Sequence, residues 1–387
     1  MPGIFNVHVP DTTIGAGAIG KIGDIAKRFK PHKILILTDA GIVKAGLIDG
    51  VTASLEKAGL EFDIIDDCRV EAPLSVIEKL ATRVCAGGFD LLIGLGGGSV
   101  MDTTKVVSLI AGDENVDISD LIRGQGVEKT LPKILVPTTS GSGAEWSHLA
   151  NVTDDGGDGD TRLILTPQNL PDAVVVDPEL TLNLPPGITA ETGMDALTHA
   201  IEAYIGRRAN IVSDIHAEAA IRLVAQHLRT AYSKGSESLE ERSHLSIAAS
   251  TAMLASVITG AGLAHFMNIS LGKKARISHG ATVALMLPHV MDFNLSARPE
   301  RFARIAELMG DETKGLPLAQ AAAQAVKAVR GLSQDLNMPQ RLTDVGVHEE
   351  DISWLVEKLF LMNPAIKAMN PREVSREDAV NIYRAAL

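Results

Sequence analysis

Short apolar runs alternate with helical stretches through the first half of the chain. The run from Lys33 to Asp39 (KILILTD) reads as a buried strand that ends in a polar tip. Glu61 to Ile65, Asp90 to Leu95, Lys133 to Pro137 and Ala173 to Asp177 repeat the pattern. Between them, Val51 to Ala58 and Leu74 to Cys85 place apolar residues at helical spacing. Strands separated by helices predict a parallel sheet with helices on both faces. Beyond Asp177 the pattern changes. Pro178, Pro185 and Pro186 punctuate a connector, and then Ala190 to Ile205, Ile211 to Ser233 and Glu240 to Thr259 read as helices. This predicts two domains, residues 1–184 with the sheet and residues 185–387 all helical.

Composition narrows the class. Aromatic residues are only 3% of the chain, so the core rests on aliphatic side chains and base-stacking surfaces are not expected. The net charge of -12 argues against nucleic acid as a partner. Cys68 and Cys85 stand alone, outside any CxxC pattern, as in a reduced compartment. Neither a signal peptide nor a membrane-length apolar run is visible. The expectation is a cytoplasmic protein with no membrane or nucleic-acid partner and a small molecule as its ligand.

Two glycine loops compete as phosphate sites. Gly15 to Gly20 matches GxGxxG, and Asp39 lies where such a fingerprint wants an acid. The preceding Val7 to Thr13 contains a proline and several polar side chains, so the loop reads as a turn into a helix. Gly96-Gly97-Gly98-Ser99 follows a clean buried strand and opens a helix near Val100. Glycines there would let a diphosphate approach free amides at a positive helix end. A plain strand-to-helix turn is the other reading. Pro137 to Gly143 adds a loop dense in hydroxyls at the same sheet edge. Asp39 either accepts from a ribose hydroxyl or caps the next helix; the sequence leaves both open.

Asp195 and His199 lie four apart in a helical stretch and so share a face. His265 and His279 follow, fourteen residues apart. One carboxylate and three imidazoles suit a divalent first-row ion. From the spacing alone, a capping aspartate with ordinary half-buried histidines is the simpler reading.

Taken together, GGGSVMDTTK (96–105), PTTSGSGAE (137–145), GMDALTHAIEAY (193–204), SHGATVALMLPHVMDFN (278–294) and MNPR (369–372) resemble the iron-containing, or group III, alcohol dehydrogenases over essentially the whole chain. The resemblance implies a Rossmann-like α/β domain joined to an all-α domain, the dehydroquinate synthase-like architecture, with a metal in the cleft between them. It implies an NAD(H)-linked alcohol dehydrogenase or aldehyde reductase acting on a small alcohol or aldehyde. The implied ligands are Asp195, His199, His265 and His279, holding Fe(II) or alternatively Zn(II). Gly97, Gly98 and Ser99 would take the phosphates, with Asp102, Thr138, Thr139 and Ser142 near the cofactor and Asp39 favouring NAD over NADP. Homodimers or higher homo-oligomers are usual in such families.

Two departures stand out. The resemblance expects a histidine four residues after His265, a candidate proton relay, and this chain has Ile269. The stretch before His279 carries Lys273, Lys274 and Arg276. With His148 and Arg162, Lys274 and Arg276 suggest a pocket for an anionic aldehyde or alcohol; a solvated basic loop is the other reading. Other functions stay open: a maleylacetate reductase or glycerol dehydrogenase-like relative on the same fold, or a non-catalytic metal- or nucleotide-binding protein.

Overall fold

A computed structural model describes residues 7–113, 116–157, 159–363 and 365–387. It divides into two compact units. One comprises His8–Thr139 with Gly143–Leu182, the other Asn183–Leu387 with Ser140–Ser142.

The first unit is built on six parallel strands. These are β1 (Asp11–Ile14), β2 (Ile34–Leu37), β3 (Phe62–Ile65), β4 (Leu91–Gly96), β5 (Lys133–Pro137) and, after a hairpin, β8 (Ala173–Val176). Their order is β1-β8-β5-β4-β2-β3. Alternate side chains feed opposite faces, as a strand's period of two requires. Leu35, Leu37 and Leu92 pack with Ile77, Leu80 and Val84 of α4 (Leu74–Gly87) and with Val106 and Val107 of α5 (Gly98–Gly112). Ile34, Ile36, Leu91 and Ile93 pack on the other side with Ile22 and Ala26 of α1 (Ile22–Lys27) and Val51 and Leu55 of α3 (Asp49–Ala58). Covering on both faces explains why the central strands are continuous apolar runs.

The register brings the strand ends level. Leu37 pairs with Gly94, and Gly96 pairs with Pro137. Thr38 donates its hydroxyl to the Leu95 carbonyl at 2.8 Å, and the Thr138 amide reaches the Gly96 carbonyl at 3.0 Å. From β2 the chain steps outward to β3 and then returns to β4 on the other side. The carboxyl ends of β2 and β4 therefore flank the point where the strand order reverses, the place where open sheets of this kind bind ligands.

Two expectations are corrected. The first glycine loop does turn into a helix, but the polar segment before it is a strand: Asp11 to Ile14 forms β1, paired in parallel with β8 at the sheet edge. Its partial exposure explains the polar residues that hid it. A two-stranded antiparallel hairpin, β6 (Leu149–Thr153) and β7 (Thr161–Leu165), was also not legible as strands. The helix after the triple glycine begins at Gly98, two residues earlier than expected.

The second unit is helical, and no strand lies among its described residues. Its helices are α7 (Pro186–Ile205), α8 (Ile211–Lys234), α9 (Leu239–Thr259), α10 (Leu263–Leu271), α11 (His279–Asn294), α12 (Pro299–Leu308), α13 (Leu318–Asp335), α14 (Ile352–Met362), α15 (Ile366–Met369) and α16 (Arg376–Ala385), α2 (Ala40–Lys44) and α6 (Ile118–Ile122) belonging to the first unit. Every residue of α7 from Gly193 to Ile205 is buried, so this part of α7 is surrounded on all sides. Among the described residues no single helix is long and apolar enough to cross a membrane.

The first glycine loop is occupied by the protein itself. Buried Asp177, at the end of β8, accepts from the Gly17 amide at 3.2 Å, the Ile19 amide at 2.9 Å and the Glu179 amide at 3.0 Å. A carboxylate thus fills the place where a phosphate would have to sit. Asp177→Ala should leave these amides unsatisfied and destabilise the fold by about 2–4 kcal/mol, read from the urea unfolding midpoint; Asp177→Asn should cost less.

Candidate metal centre and cofactor loop

A buried helix rarely carries ionisable side chains without partners. α7 carries four on one face, Glu191, Asp195, His199 and Glu202, at the spacing of successive turns. Each reaches a neighbouring element. Glu191 accepts from the Ser278 hydroxyl at 2.7 Å, and Ser278 is the N-cap of α11, accepting from the Ala281 amide at 3.1 Å. Glu202 accepts from the Gly262 amide at 3.0 Å and the Ala264 amide at 2.6 Å, the N-terminus of α10. His265 and His279, on those two helices, are thereby aimed at Asp195 between them.

His265 Nε2 lies 3.5 Å from Asp195 Oδ1, His279 Nε2 lies 3.7 Å away, and His199 Nδ1 also lies 3.7 Å away. Ligand atoms of Asp195, His265 and His279 all fall within 4.8 Å of one another. His199 stacks on His265 with ring centroids 4.2 Å apart, and it does not join that tight triple. Asp195 Oδ1, His199 Nδ1 and His265 Nε2 are buried without hydrogen-bond partners. Each such atom costs roughly 1–3 kcal/mol unless something satisfies it. His279 has a half-exposed side chain and marks the side of the cluster that solvent reaches.

Electrostatics point the same way. Burial opposes ionisation of Asp195, yet His199, His265 and His279 hold its carboxyl far below the usual range. Burial, with His265 beside it, pulls His199 down to about 3, so its imidazole is neutral. Burial also acts against a charged His265, but Glu202 and Asp195 push it up to about 10. Without an ion, the two carboxylates hold a proton on His265; a bound cation would take that proton's place between His265 and Asp195. A divalent ion with one carboxylate and neutral imidazoles around it fits this donor set.

Close contact at two glycines sets the approach of α10 and α11. A β-carbon at Gly280 would lie 2.6 Å from the Glu191 carbonyl oxygen, and one at Gly262 would lie 2.4 Å from Cδ of Glu202. Only glycine lets these helix starts sit against α7.

In the sheet unit, Gly97 is the N-cap of α5 and has no side chain with which to cap it. The first amides of this 15-residue helix therefore face outward with a positive dipole end. The Thr139 hydroxyl would lie 3.5 Å from a β-carbon on Gly97, and Ser99 accepts from the Glu71 amide at 3.0 Å. Asp39 caps α2, its Oδ1 accepting from Gly41 at 2.8 Å and Ile42 at 3.1 Å. Thr138 is buried at the tip of β5. Asp102 is turned inward, 3.0 Å from Lys105 Nζ, and accepts from the Asn151 amide at 3.0 Å. It ties α5 to the β6–β7 hairpin. Ser142 falls in the helical unit.

The expected substrate cations are partly engaged. Lys274 pairs with Asp351 at 2.8 Å, and Arg162 pairs with Asp154 at 3.3 Å. Arg276 makes no ion pair among the described residues, while His148 is partly buried, its imidazole pulled down by burial and by Lys105. The Lys273 side chain lies outside the described residues. Glu202 and Glu191 were missed from the sequence, although their spacing from Asp195 placed them on the ligand face.

Comparison with known proteins identifies the family. The family described as iron-containing alcohol dehydrogenase matches residues 10–178, and its C-terminal domain, Fe-containing alcohol dehydrogenase family, matches residues 189–387. The chain belongs to the iron-containing alcohol dehydrogenases. It is 34% identical over 383 residues to the NAD-dependent methanol dehydrogenase of Bacillus methanolicus, covering 98% of each chain. It is 36% identical over 400 residues to the 1,3-propanediol dehydrogenase of Klebsiella pneumoniae, covering 99% of each. The solved structure of a 1,3-propanediol oxidoreductase superposes with a TM-score of 0.95 at 33% identity, covering 100% of both chains.

Gly280→Ala should force α11 away from α7, at a cost of about 1–3 kcal/mol. Metal analysis of the purified variant should find less than half the bound ion of the parent; full retention would mean that the approach does not control the site.

Proposed function

We propose that the chain is an NAD(H)-linked alcohol dehydrogenase or aldehyde reductase that requires Fe(II) or Zn(II), held by Asp195, His199, His265 and His279. The observation that carries this reading is the set of buried, unpartnered ligand atoms on Asp195, His199 and His265, with His279 beside them. A bound divalent ion supplies Lewis-acid chemistry at a carbonyl or alcohol oxygen, and NAD(H) supplies hydride exchange.

The chain's own residues do the rest. Asp195 and His199, one turn apart on a buried helix, form a rigid half of the ligand set. His279 leaves the solvent-facing side open to a small substrate. Gly97, Gly98 and Ser99 bind the diphosphate on the uncapped start of α5. Asp39 keeps Oδ1 on its helix cap and turns Oδ2 to a ribose hydroxyl, where its charge repels a 2′-phosphate. Thr138, Thr139 and Ser142 contribute hydroxyls to the cofactor, and Asp102 braces α5 from behind. The NAD-dependent methanol dehydrogenase among the relatives supports this choice of cofactor. With Ile269 in place of an imidazole, proton exchange falls to water or the ribose hydroxyl. An anionic substrate would have to be read by Arg276 or His148, because Lys274 and Arg162 are held by Asp351 and Asp154. The unbridged pair of cysteines suits a cytoplasmic enzyme, and family membership supports a homodimer.

Anaerobic reconstitution followed by NADH oxidation with short aldehydes tests the reading. Turnover should require added metal, and Asp195→Ala should lower kcat/KM by about a thousandfold or more. Unchanged turnover in that variant would sink the assignment. Asp39→Asn keeps a competent cap and removes the charge. It should narrow the preference for NADH over NADPH by about tenfold while leaving the unfolding midpoint nearly unchanged. Arg276→Ala should raise KM for a carboxylated aldehyde but not for butanal if the substrate is anionic; equal KM values in parent and variant would exclude that role.

A further inference from the structure

Glu202 lies within GMDALTHAIEAY but has been given no role there, yet it is only 4% exposed and makes three short contacts. Two are to the Gly262 and Ala264 amides; the third, at 2.6 Å, is from Oε2 to His265 Nδ1. An ionised carboxylate can only accept, so Nδ1 must carry the proton. In the neutral ring that binds a metal, the lone pair of His265 is then confined to Nε2, the atom 3.5 Å from Asp195. His279 has no such carboxylate: its Nδ1 lies 2.8 Å from the side-chain nitrogen of Asn268, while its Nε2 points to Asp195.

We propose that Glu202 is a positioning residue for the metal centre. It fixes the tautomer and ring direction of His265 and adds a second negative charge behind the ligand set. This rests on the reading that Asp195 and the three histidines hold a divalent ion. Asp195 and Glu202 together carry the two negative charges that balance such an ion in a buried place, and a carboxylate behind a ligating imidazole raises its basicity. The side chain of Glu202 fills the space against Gly262, where a β-carbon would lie 2.4 Å from its Cδ. The competing role is a purely structural one, capping α10 from outside the helix.

Glu202→Gln separates the two. The amide keeps the shape and an oxygen that can accept from Gly262 or Ala264, and it removes the charge. Co(II) serves as the probe, followed by its visible absorption and by competition with a chelator. Co(II) affinity should fall about 10–100-fold, with a changed absorption envelope and a metal-free unfolding midpoint close to that of the parent. Affinity within twofold of the parent, with a lowered metal-free midpoint, would reduce Glu202 to a cap and overturn the proposal. Should the variant not fold, the parent protein still decides: 15N-histidine spectra of the Zn(II)-loaded protein should show His265 protonated at Nδ1, and protonation at Nε2 would refute the inference. Failure of the underlying reading looks different. In that case the parent itself binds no stoichiometric Co(II), or Asp195→Ala binds it as tightly as the parent.

Discussion

The helical unit is organised by one constraint: a helix with no wet side carries a row of ionisable groups, and each must be satisfied by another element. Glu191 reaches the cap of α11 and Glu202 reaches the first turn of α10. Carboxylates at helix N-termini are favourable in themselves, through the unpaired amides and the dipole. The ligands gain from this indirectly. Once α10 and α11 are seated by Glu202 and Glu191, His265 and His279 face Asp195 from two directions. The pairing of Glu202 with His265 is the strongest link, because it joins the seating of a helix to the chemistry of a ligand atom.

The sheet unit shows how the same physics distinguishes two glycine loops. Both follow a parallel strand and lead into a helix or helical turn. In the first, Asp177 supplies the anion and the loop becomes a joint between β8 and β1. In the second, the cap position is Gly97 and no side chain is supplied. The capped starts of α2 and α6 use Asp39 and Asp117 for this purpose. Other helices of this unit also start without a side-chain cap, but only the start of α5 combines that with glycines and a place at the reversal point of the strand order, where an anion from outside can be held.

Much of this was legible in the chain. The central strands stood out because burial on both faces demands unbroken apolar runs such as ILIL and LLIGL. β1 and the β6–β7 hairpin did not, because partly exposed strands with polar residues look like loops when only apolar runs are scored. Asp195 and His199 share a helix face, which spacing can reveal. His265 and His279 lie on separate helices, and no spacing rule encodes how helices converge; the motif resemblance supplied them. Glu202 was visible at the same helical period but reads like any surface acid until α7 is known to be enclosed. The ion pairs of Lys274 and Arg162 were hidden for the same reason, since Asp351 is remote in sequence and Asp154 lies in a loop.

The glycines at 262 and 280 show where the precision of the centre originates. Neither needs an unusual backbone angle; both are required because another part of α7 occupies the space of a β-carbon. At Gly280 that neighbour is main chain, which cannot rotate away, whereas at Gly262 it is the side chain of Glu202. The distance from α11 to α7 is therefore set by backbone against backbone, and the distance from α10 to α7 by a carboxylate held in three hydrogen bonds. His279 rides on the stiffer contact and His265 on the polar one. Replacement of Glu202 should accordingly disturb the His265 side of the ligand set first, while the Asp195–His279 side, fixed by main chain, keeps its spacing.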